Sequence, residues 1–273
     1  MTPSPGNDRA ETPADALARL YDLDLQDDPG DLDLWTALAA QAGGPVLELM
    51  AGSGRIAIPL AEEGHAVTAV DLDVAMLARA RRRAEAAGPE VVTRITLVPG
   101  DVSAADLGLG RRFGLAFIAL NSILLLGSRV AQRTAWATLA AHLDPGGVAA
   151  VDTWLPDAHD LARYDGRLHL EYHRPDPETG RWVTKTAAAQ HDAATQTIAL
   201  TTIYDEGDPG EPASRWVRRD VVRLVTADEL RAMAEAAGLE VELVAGGYDL
   251  EPLGPHDDRA IVIARMPGSG GRD

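Results

Sequence analysis

Cysteine is absent from this 273-residue chain. That absence excludes disulfides, thiolate metal sites and cysteine nucleophiles, and no metal site is expected. Long apolar runs are absent too: nothing approaches the roughly 18 apolar residues of a membrane-spanning helix. Basic residues are outnumbered, 25 against 42 acidic, for a net charge of −17. Binding a phosphate backbone needs clustered Lys and Arg. The one dense cluster, Arg79, Arg81, Arg82 and Arg83, falls on a predicted helix and reads as a solvated face. Neither nucleic acid nor a membrane is therefore an expected partner; the charge implies solubility and repulsion from acidic molecules. The first 20 residues lack a basic start and a long apolar stretch. No signal peptide is visible, and a cytoplasmic location is expected.

What the chain does have is 46% hydrophobic residues, enough for a large core. The stretch it is organised around runs from Val46 to Asp73. Val46 to Met50 is an apolar run of strand length. Ala51-Gly52-Ser53-Gly54 turns sharply, Ile56, Ile58, Leu60 and Ala61 continue as a helix, and Gly64 and His65 end it. Ala66 to Val70 is a second strand ending at Asp71. Two parallel strands joined by a helix form a right-handed unit. Ligands bind such a unit in the crevice at the carboxyl ends of its strands. Glycine lets backbone N–H groups approach a ligand closely. An acid roughly 20 residues on has the place of one that bonds ribose hydroxyls. The residues alone point to a nucleoside-containing ligand.

Two ligand classes share this unit. The dinucleotide fingerprint requires a third glycine, and Ile56 or Ala57 stands there. Glu48, inside the first strand, precedes Gly52 by four residues. Glu48-Leu-Met-Ala-Gly-Ser-Gly-Arg55 resembles motif I of the class I (Rossmann-like) S-adenosylmethionine-dependent methyltransferases, an acid followed by G-x-G-x-G. Met50 replaces its first glycine. Further along, Pro99-Gly100-Asp101-Val102 follows the third strand, Arg94 to Val98. The fourth strand, Phe113 to Leu120, leads into Asn121-Ser122 in a segment similar to motif IV. Relatives often read Asn-Ser-Phe-Leu-His there, and Leu125 stands at the histidine. Leu143-Asp-Pro-Gly-Gly147 resembles the turn after the next helix, which spans Val130 to His142. Val148 to Thr153 is the fifth strand.

The resemblance implies S-adenosylmethionine as cofactor and a seven-stranded α/β sheet, parallel with a C-terminal antiparallel hairpin. It implies roles as well. Glu48 orients the methionine ammonium; Met50, Ala51, Gly52, Gly54 and Arg55 form the turn around the cofactor. Asp71 holds the ribose, with Leu72 beside it. Met76 lies against the adenine, and Asp101 with Val102 binds it. Leu120 and Asn121 end the fourth strand at the site. Tyr21 resembles a leader tyrosine that reaches the methionine end. With Leu125 in place of the histidine, that general base is missing. Ser122 reads either as a site residue or as the cap of the next helix.

The leader, residues 1–43, combines a mobile start at 1–12 with helices at Ala14–Tyr21 and Leu32–Ala42. The cofactor domain covers 44–156 and 226–266. Residues 157–225 read as an antiparallel β insertion with strands at Arg167–Arg174, Trp182–Gln190, Thr195–Tyr204 and Arg215–Leu224. A helix at Leu230–Ala237 opens with a capping box of Thr226 and Glu229. Leu239–Ala245 and Arg259–Arg265 form the closing hairpin, and PGSGGRD is a flexible tail. Insertions of this kind cover a substrate site or make subunit contacts in small-molecule methyltransferases, including amino-sugar N-methyltransferases. A homodimer is therefore an open expectation. Trp154, Tyr164 and Tyr172 are candidate substrate walls; His169, His173 and His191 are candidate bases. The expected function is methyl transfer to an O, N or C nucleophile of a small molecule, and the composition hints at a high-GC bacterial source and secondary metabolism. Two other classes stay open: a non-catalytic cofactor-binding protein and a nicotinamide-dependent oxidoreductase.

Overall fold

The computed structural model describes residues 11–27, 29–104, 107–208 and 210–268. Of the stretches expected to be a mobile start (1–12) and a flexible tail (267–273), residues 1–10 and 269–273 lie outside the described residues.

The first helix, α1 (Pro13–Asp24), starts where the Thr12 hydroxyl accepts the Asp15 N–H and Pro13 takes a position that needs no donor. α2 (Leu32–Ala42) ends at Gly43, which adopts φ +65°. The βαβ unit follows as β1 (Val46–Leu49), α3 (Ala57–Glu62) and β2 (Val67–Asp71). α4 (Val74–Ala87) is capped by the Asp73 carboxylate, which accepts from Ala75 and Met76. Then come α5 (Pro89–Arg94), β3 (Ile95–Pro99), β4 (Phe113–Ile118), a 3-10 turn (Ser122–Leu126), α6 (Arg129–His142) and β5 (Leu143–Trp154). Helix α7 (Ala158–Arg163) leads into β6 (Asp165–Pro175), β7 (Trp182–Asp192), β8 (Thr197–Glu206) and β9 (Ser214–Arg223). The chain closes with α8 (Ala227–Ala236), β10 (Glu240–Ala245) and β11 (Arg259–Arg265).

The large sheet has seven strands in the order β10-β11-β5-β4-β1-β2-β3. β5, β4, β1, β2 and β3 run parallel, while β11 is antiparallel to both β5 and β10. β1 and β4 are buried at every position, as central strands covered on both faces must be. Val46 packs into one layer, where Trp35 stacks on Phe117 at 4.4 Å; Leu47 and Leu49 pack into the other, with Phe113 and Trp136. β6-β7-β8-β9 form a separate four-stranded antiparallel sheet.

Helix α1 is pinned between the two sheets by ion pairs. Arg19 is buried and bonds Asp176, Glu206 and Glu11. The Asp24 carboxylate accepts from Tyr172, Tyr204 and Lys185 at 2.7, 2.7 and 2.8 Å. Arg79 reaches Asp22 at 2.8 Å and also bonds Glu178. The arginine cluster of α4 is therefore not simply a solvated face. Arg81, Arg82 and Arg83 are exposed, but Arg79 points inward because two carboxylates from other elements meet it there.

Other local expectations are corrected as well. Ser128, not Ser122, caps α6, accepting the Ala131 N–H; Ser122 lies inside the 3-10 turn. Only half of the Thr226–Glu229 box forms, because the Glu229 carboxylate turns instead to Arg223 at 2.9 Å. A complete box sits at Asp157 and Asp160, opening α7. β5 begins at Leu143 rather than Val148. Gly146 and Gly147 exchange backbone hydrogen bonds with Met266, which draws the turn into the strand. A Cβ on Gly147 would lie 2.9 Å from the Asp144 carbonyl oxygen, so only glycine fits.

Candidate active site

Leaving β1, the backbone enters the left-handed region three times: Met50 at φ +59°, Gly52 at +54° and Gly54 at +77°. Glycine takes this conformation freely, whereas Met50 adopts it at a cost of about 1–2 kcal/mol. The turn is held from the far side of the βαβ unit. Asp71 Oδ2 accepts the Gly52 N–H at 2.7 Å, and Oδ1 accepts the Asp73 N–H at 2.8 Å. Burial raises the Asp71 carboxyl above its ordinary value, and these N–H donors oppose the shift. Gly54 packs instead of lining space: a Cβ there would lie 3.0 Å from Ile58.

A cavity of about 380 Å³ opens over the turn. Its floor is Met50, Gly52, Asp71, Asp73 and Met76; Ala14, Leu17, Ala18 and Tyr21 of α1 form one wall. Ser122 and Leu125 of the 3-10 turn and Arg218 of β9 complete it. The structure thus brings Tyr21, Met50, Gly52, Asp71 and Met76 to one place. The Tyr21 phenol is raised by burial, with Arg55 and Arg218 pulling the other way.

Glu48 is buried at the centre of the sheet. Its Oε2 has no hydrogen-bond partner among the described residues, while the Ala57 N–H stabilises the carboxylate. Burial pushes this carboxyl up to about 8 despite nearby Arg55. Arg55 grips Asp31 through two bonds of 2.5 and 2.7 Å, and Asp31 also accepts the Trp35 indole N–H at 3.0 Å. Arg55 thus serves a buried charge pair and does not bound the cavity.

At the end of β4, Leu120 and Asn121 adopt φ +47° and +64°. Both are non-glycine residues in the left-handed region, and neighbours hold them there. The Leu120 N–H donates to Asp152 Oδ2 at 3.1 Å, and Asn121 Oδ1 accepts the Trp154 N–H at 2.5 Å. Asp152 is fully buried and paired with Arg259 at 2.5 Å. Burial raises its carboxyl while Arg259 opposes.

The remaining predicted residues lie apart from this cavity. Leu72 is 70% exposed. The Asp101 carboxylate faces solvent and accepts from Ser103 at 2.9 and 2.6 Å, which holds it below its ordinary value. Val102 is buried in the core, and its carbonyl accepts from Thr138. Ala51 is buried, with its N–H bonded to Val70. Trp154 meets Tyr164 edge-on at 6.2 Å. Tyr164 and His169 line a second cavity of about 370 Å³ against the small sheet. Tyr172 is engaged by Asp24. His173 stacks on Trp182 at 4.7 Å, on the opposite face of that sheet from Lys185. The His191 N–H bonds the Tyr164 carbonyl. Arg218 lines the cavity without a motif in the sequence to mark it. Alternation in β9 puts Trp216, Arg218 and Asp220 on one face, but nothing local says that this face roofs a cavity.

A family model described as a methyltransferase domain matches residues 46–147. The chain is 30% identical over 226 residues to the cypemycin N-terminal methyltransferase of a Streptomyces species, covering 81% of this chain and 82% of that one. The chain belongs to the class I S-adenosylmethionine-dependent methyltransferases. This methyltransferase is also 28% identical over 203 residues to the dTDP-3-amino-3,4,6-trideoxy-alpha-D-glucopyranose N,N-dimethyltransferase of Streptomyces venezuelae, across 74% of this chain and 78% of that one. Among solved structures it is similar to the CcbJ methyltransferase of Streptomyces caelestis, with 25% identity, TM-score 0.69, and coverage of 87% and 96%. It is also similar to the glycopeptide N-methyltransferase MtfA bound to S-adenosylmethionine, with 26% identity, TM-score 0.57, and coverage of 89% and 91%. Its cofactor is S-adenosylmethionine. The residues fit that group: Gly52 has no Cβ to fill the cavity floor, Asp71 adds a carboxylate there, and Glu48 Oε2 is a buried acceptor in want of a donor. The nicotinamide and non-catalytic readings have no support from these relatives.

Proposed function

We propose that this methyltransferase methylates an amine nitrogen of a small molecule, with an amino sugar as the acceptor class, in bacterial secondary metabolism. The observation that carries it is the cavity itself. Its wall joins the glycine turn (Gly52, Asp71, Met76) to the leader (Tyr21) and to the insertion (Arg218), so one cavity is bounded both by the turn that would admit the cofactor and by the segment outside the cofactor domain. Two curated relatives that act on amino sugars as N,N-dimethyltransferases support the acceptor class. Bound S-adenosylmethionine supplies an electrophilic sulfonium methyl carbon. The chain's part is to hold and orient. Asp71 would hold the ribose hydroxyls, Glu48 would face the ammonium, and the Gly52 turn would admit the cofactor close to the backbone. Met76 would pack against the adenine. Tyr21 would close the methionine end from above.

Among the described residues the cavity lining holds no histidine. An amine suits such a site, because a neutral nitrogen already carries its lone pair and sheds its proton to water after the N–C bond forms. A second reading, the N-terminal amine of a peptide, follows from the cypemycin relative and shares this chemistry. The test is methyl transfer from S-adenosylmethionine to a panel of nucleotide-linked amino sugars and short peptides, followed by mass. Transfer to an amino sugar supports the first reading and transfer to a peptide the second. A chain that binds S-adenosylhomocysteine yet methylates neither amine overturns both.

A further inference from the structure

The two cavities lie on one face of the small sheet. Directly paired residues of antiparallel strands point to the same side. Ala187 of β7 pairs with Thr202 of β8, and Thr202 pairs with Arg218 of β9. Ala187 and Thr202 line the cavity that holds Arg163, Tyr164 and His169; Arg218 lines the cofactor cavity. The Thr202–Arg218 pair therefore sets a lining residue of one cavity beside a lining residue of the other.

Arg218 is equipped for a ligand there. Both Asp220 oxygens accept from its Nε, at 3.0 and 2.8 Å. Its two terminal nitrogens, four N–H donors in a planar fork, have no partner among the described residues. The side chain is 31% exposed, so the guanidinium is half withdrawn from water but not consumed by the fold. Among the described residues it is the only cation lining the cofactor cavity, and the acids Asp71 and Asp73 lie on the floor. A net charge of −17 disfavours the approach of an anion at long range, so a local cation must hold it. An unsatisfied guanidinium fork inside a cavity is where one can settle, because the fork matches two oxygens of a phosphate or carboxylate.

The geometry points to Arg218 as the anchor for an oxyanion carried by the methyl acceptor. The reacting end of the acceptor lies on the Tyr21 side of that anchor. The rest of the molecule runs along the sheet face past Thr202 toward Arg163 and His169, whose cavity lies on the same face. This rests on the methyl-transfer reading and names what the acceptor must carry: a phosphate group of a sugar nucleotide or a carboxylate of a peptide.

Calorimetric titration of the chain saturated with S-adenosylhomocysteine tests it, with inorganic pyrophosphate and succinate as separate probes. Wild type, Arg218→Gln and Arg218→Lys are compared. The expected result is binding of one probe by wild type, weakened at least about tenfold by Arg218→Gln and partly restored by Arg218→Lys. S-adenosylhomocysteine itself should bind all three within about twofold. Pyrophosphate as the preferred probe identifies a phosphate acceptor, and succinate a carboxylate. Equal probe binding by wild type and Arg218→Gln, or no binding of either probe, overturns the assignment and leaves the cofactor reading standing. Loss of S-adenosylhomocysteine binding in Arg218→Gln also overturns it, since the residue would then hold the cofactor's own carboxylate or support the fold. Wild type that fails to bind S-adenosylhomocysteine would instead sink the underlying methyl-transfer reading.

Discussion

Asp71 accepts the backbone N–H of Gly52 at 2.7 Å, so the acid at the end of β2 holds the glycine turn at the end of β1. One carboxylate thereby fixes the cavity floor and presents a charge to it. Removing it should loosen the turn and delete the proposed ribose contact together. Asp71→Ala is expected to weaken S-adenosylhomocysteine roughly 10–100-fold, and Asp71→Asn less, because its amide oxygen still accepts one N–H. Calorimetry measures both. Unchanged affinity in the alanine variant would remove Asp71 from the site.

Gly52 and Gly54 both sit at positive φ but should fail differently. A Cβ on Gly52 meets only Tyr21, at 3.8 Å, and it projects where the cofactor must approach. Gly52→Ala should cost about 1–2 kcal/mol of stability and most of the cofactor affinity. A Cβ on Gly54 lies 3.0 and 3.3 Å from Ile58 and Ala80, jamming α3 against α4. Gly54→Ala should lose about 1–3 kcal/mol beyond the backbone strain. Urea unfolding beside cofactor titration separates the two; the same pattern in both variants would contradict this division.

Glu48 predicts a pH dependence. Folded, its carboxyl keeps the proton up to about pH 8; unfolded, it releases it near the ordinary value of 4.5. The native chain therefore binds more protons across that window. The contribution is fully present below pH 4.5 and is lost as pH rises through 8. Glu48→Gln, which cannot ionise, should melt close to wild type at low pH and progressively higher than wild type as pH climbs through the window. Melting curves that stay parallel from about pH 5 to about pH 9 would contradict a proton on Glu48.

Arg19 is the cation at which α1 meets the small sheet, with buried Asp176 and Glu206 against it. Arg19→Met leaves those carboxylates buried without their partner. The expected loss is about 3–5 kcal/mol in urea unfolding, larger than for Arg83→Ala at the exposed edge of the same helix contact. Equal losses would show that burial of this pair does not matter.

Much of this was legible in the residues. The βαβ unit, the strands of the insertion and the closing hairpin follow from periodicity and turn chemistry, which act over a few residues. Tyr21, Met50, Gly52, Asp71 and Met76 share a cavity because each stands at a strand end or on an inward helix face. Asp101 shows the limit: its place after β3 was plain, but its side chain turned to Ser103 and solvent. The capping residues show another, since Ser122 and Ser128 offer the same hydroxyl six residues apart, and only the path of the 3-10 turn selects between them.

By itself the sequence determined the order of elements, the glycine turn with its acid, and the lack of thiol or histidine chemistry at the motif IV position. Tertiary structure alone decided that Arg79 and Arg19 are buried ties, that α1 lies between two sheets, and that Arg218 looks into the cavity over the glycine turn. The physical reason is range. Backbone conformation and alternation are set by neighbours in the chain, whereas the partner of a long charged side chain is set by which carboxylate packing brings within about 3 Å of it.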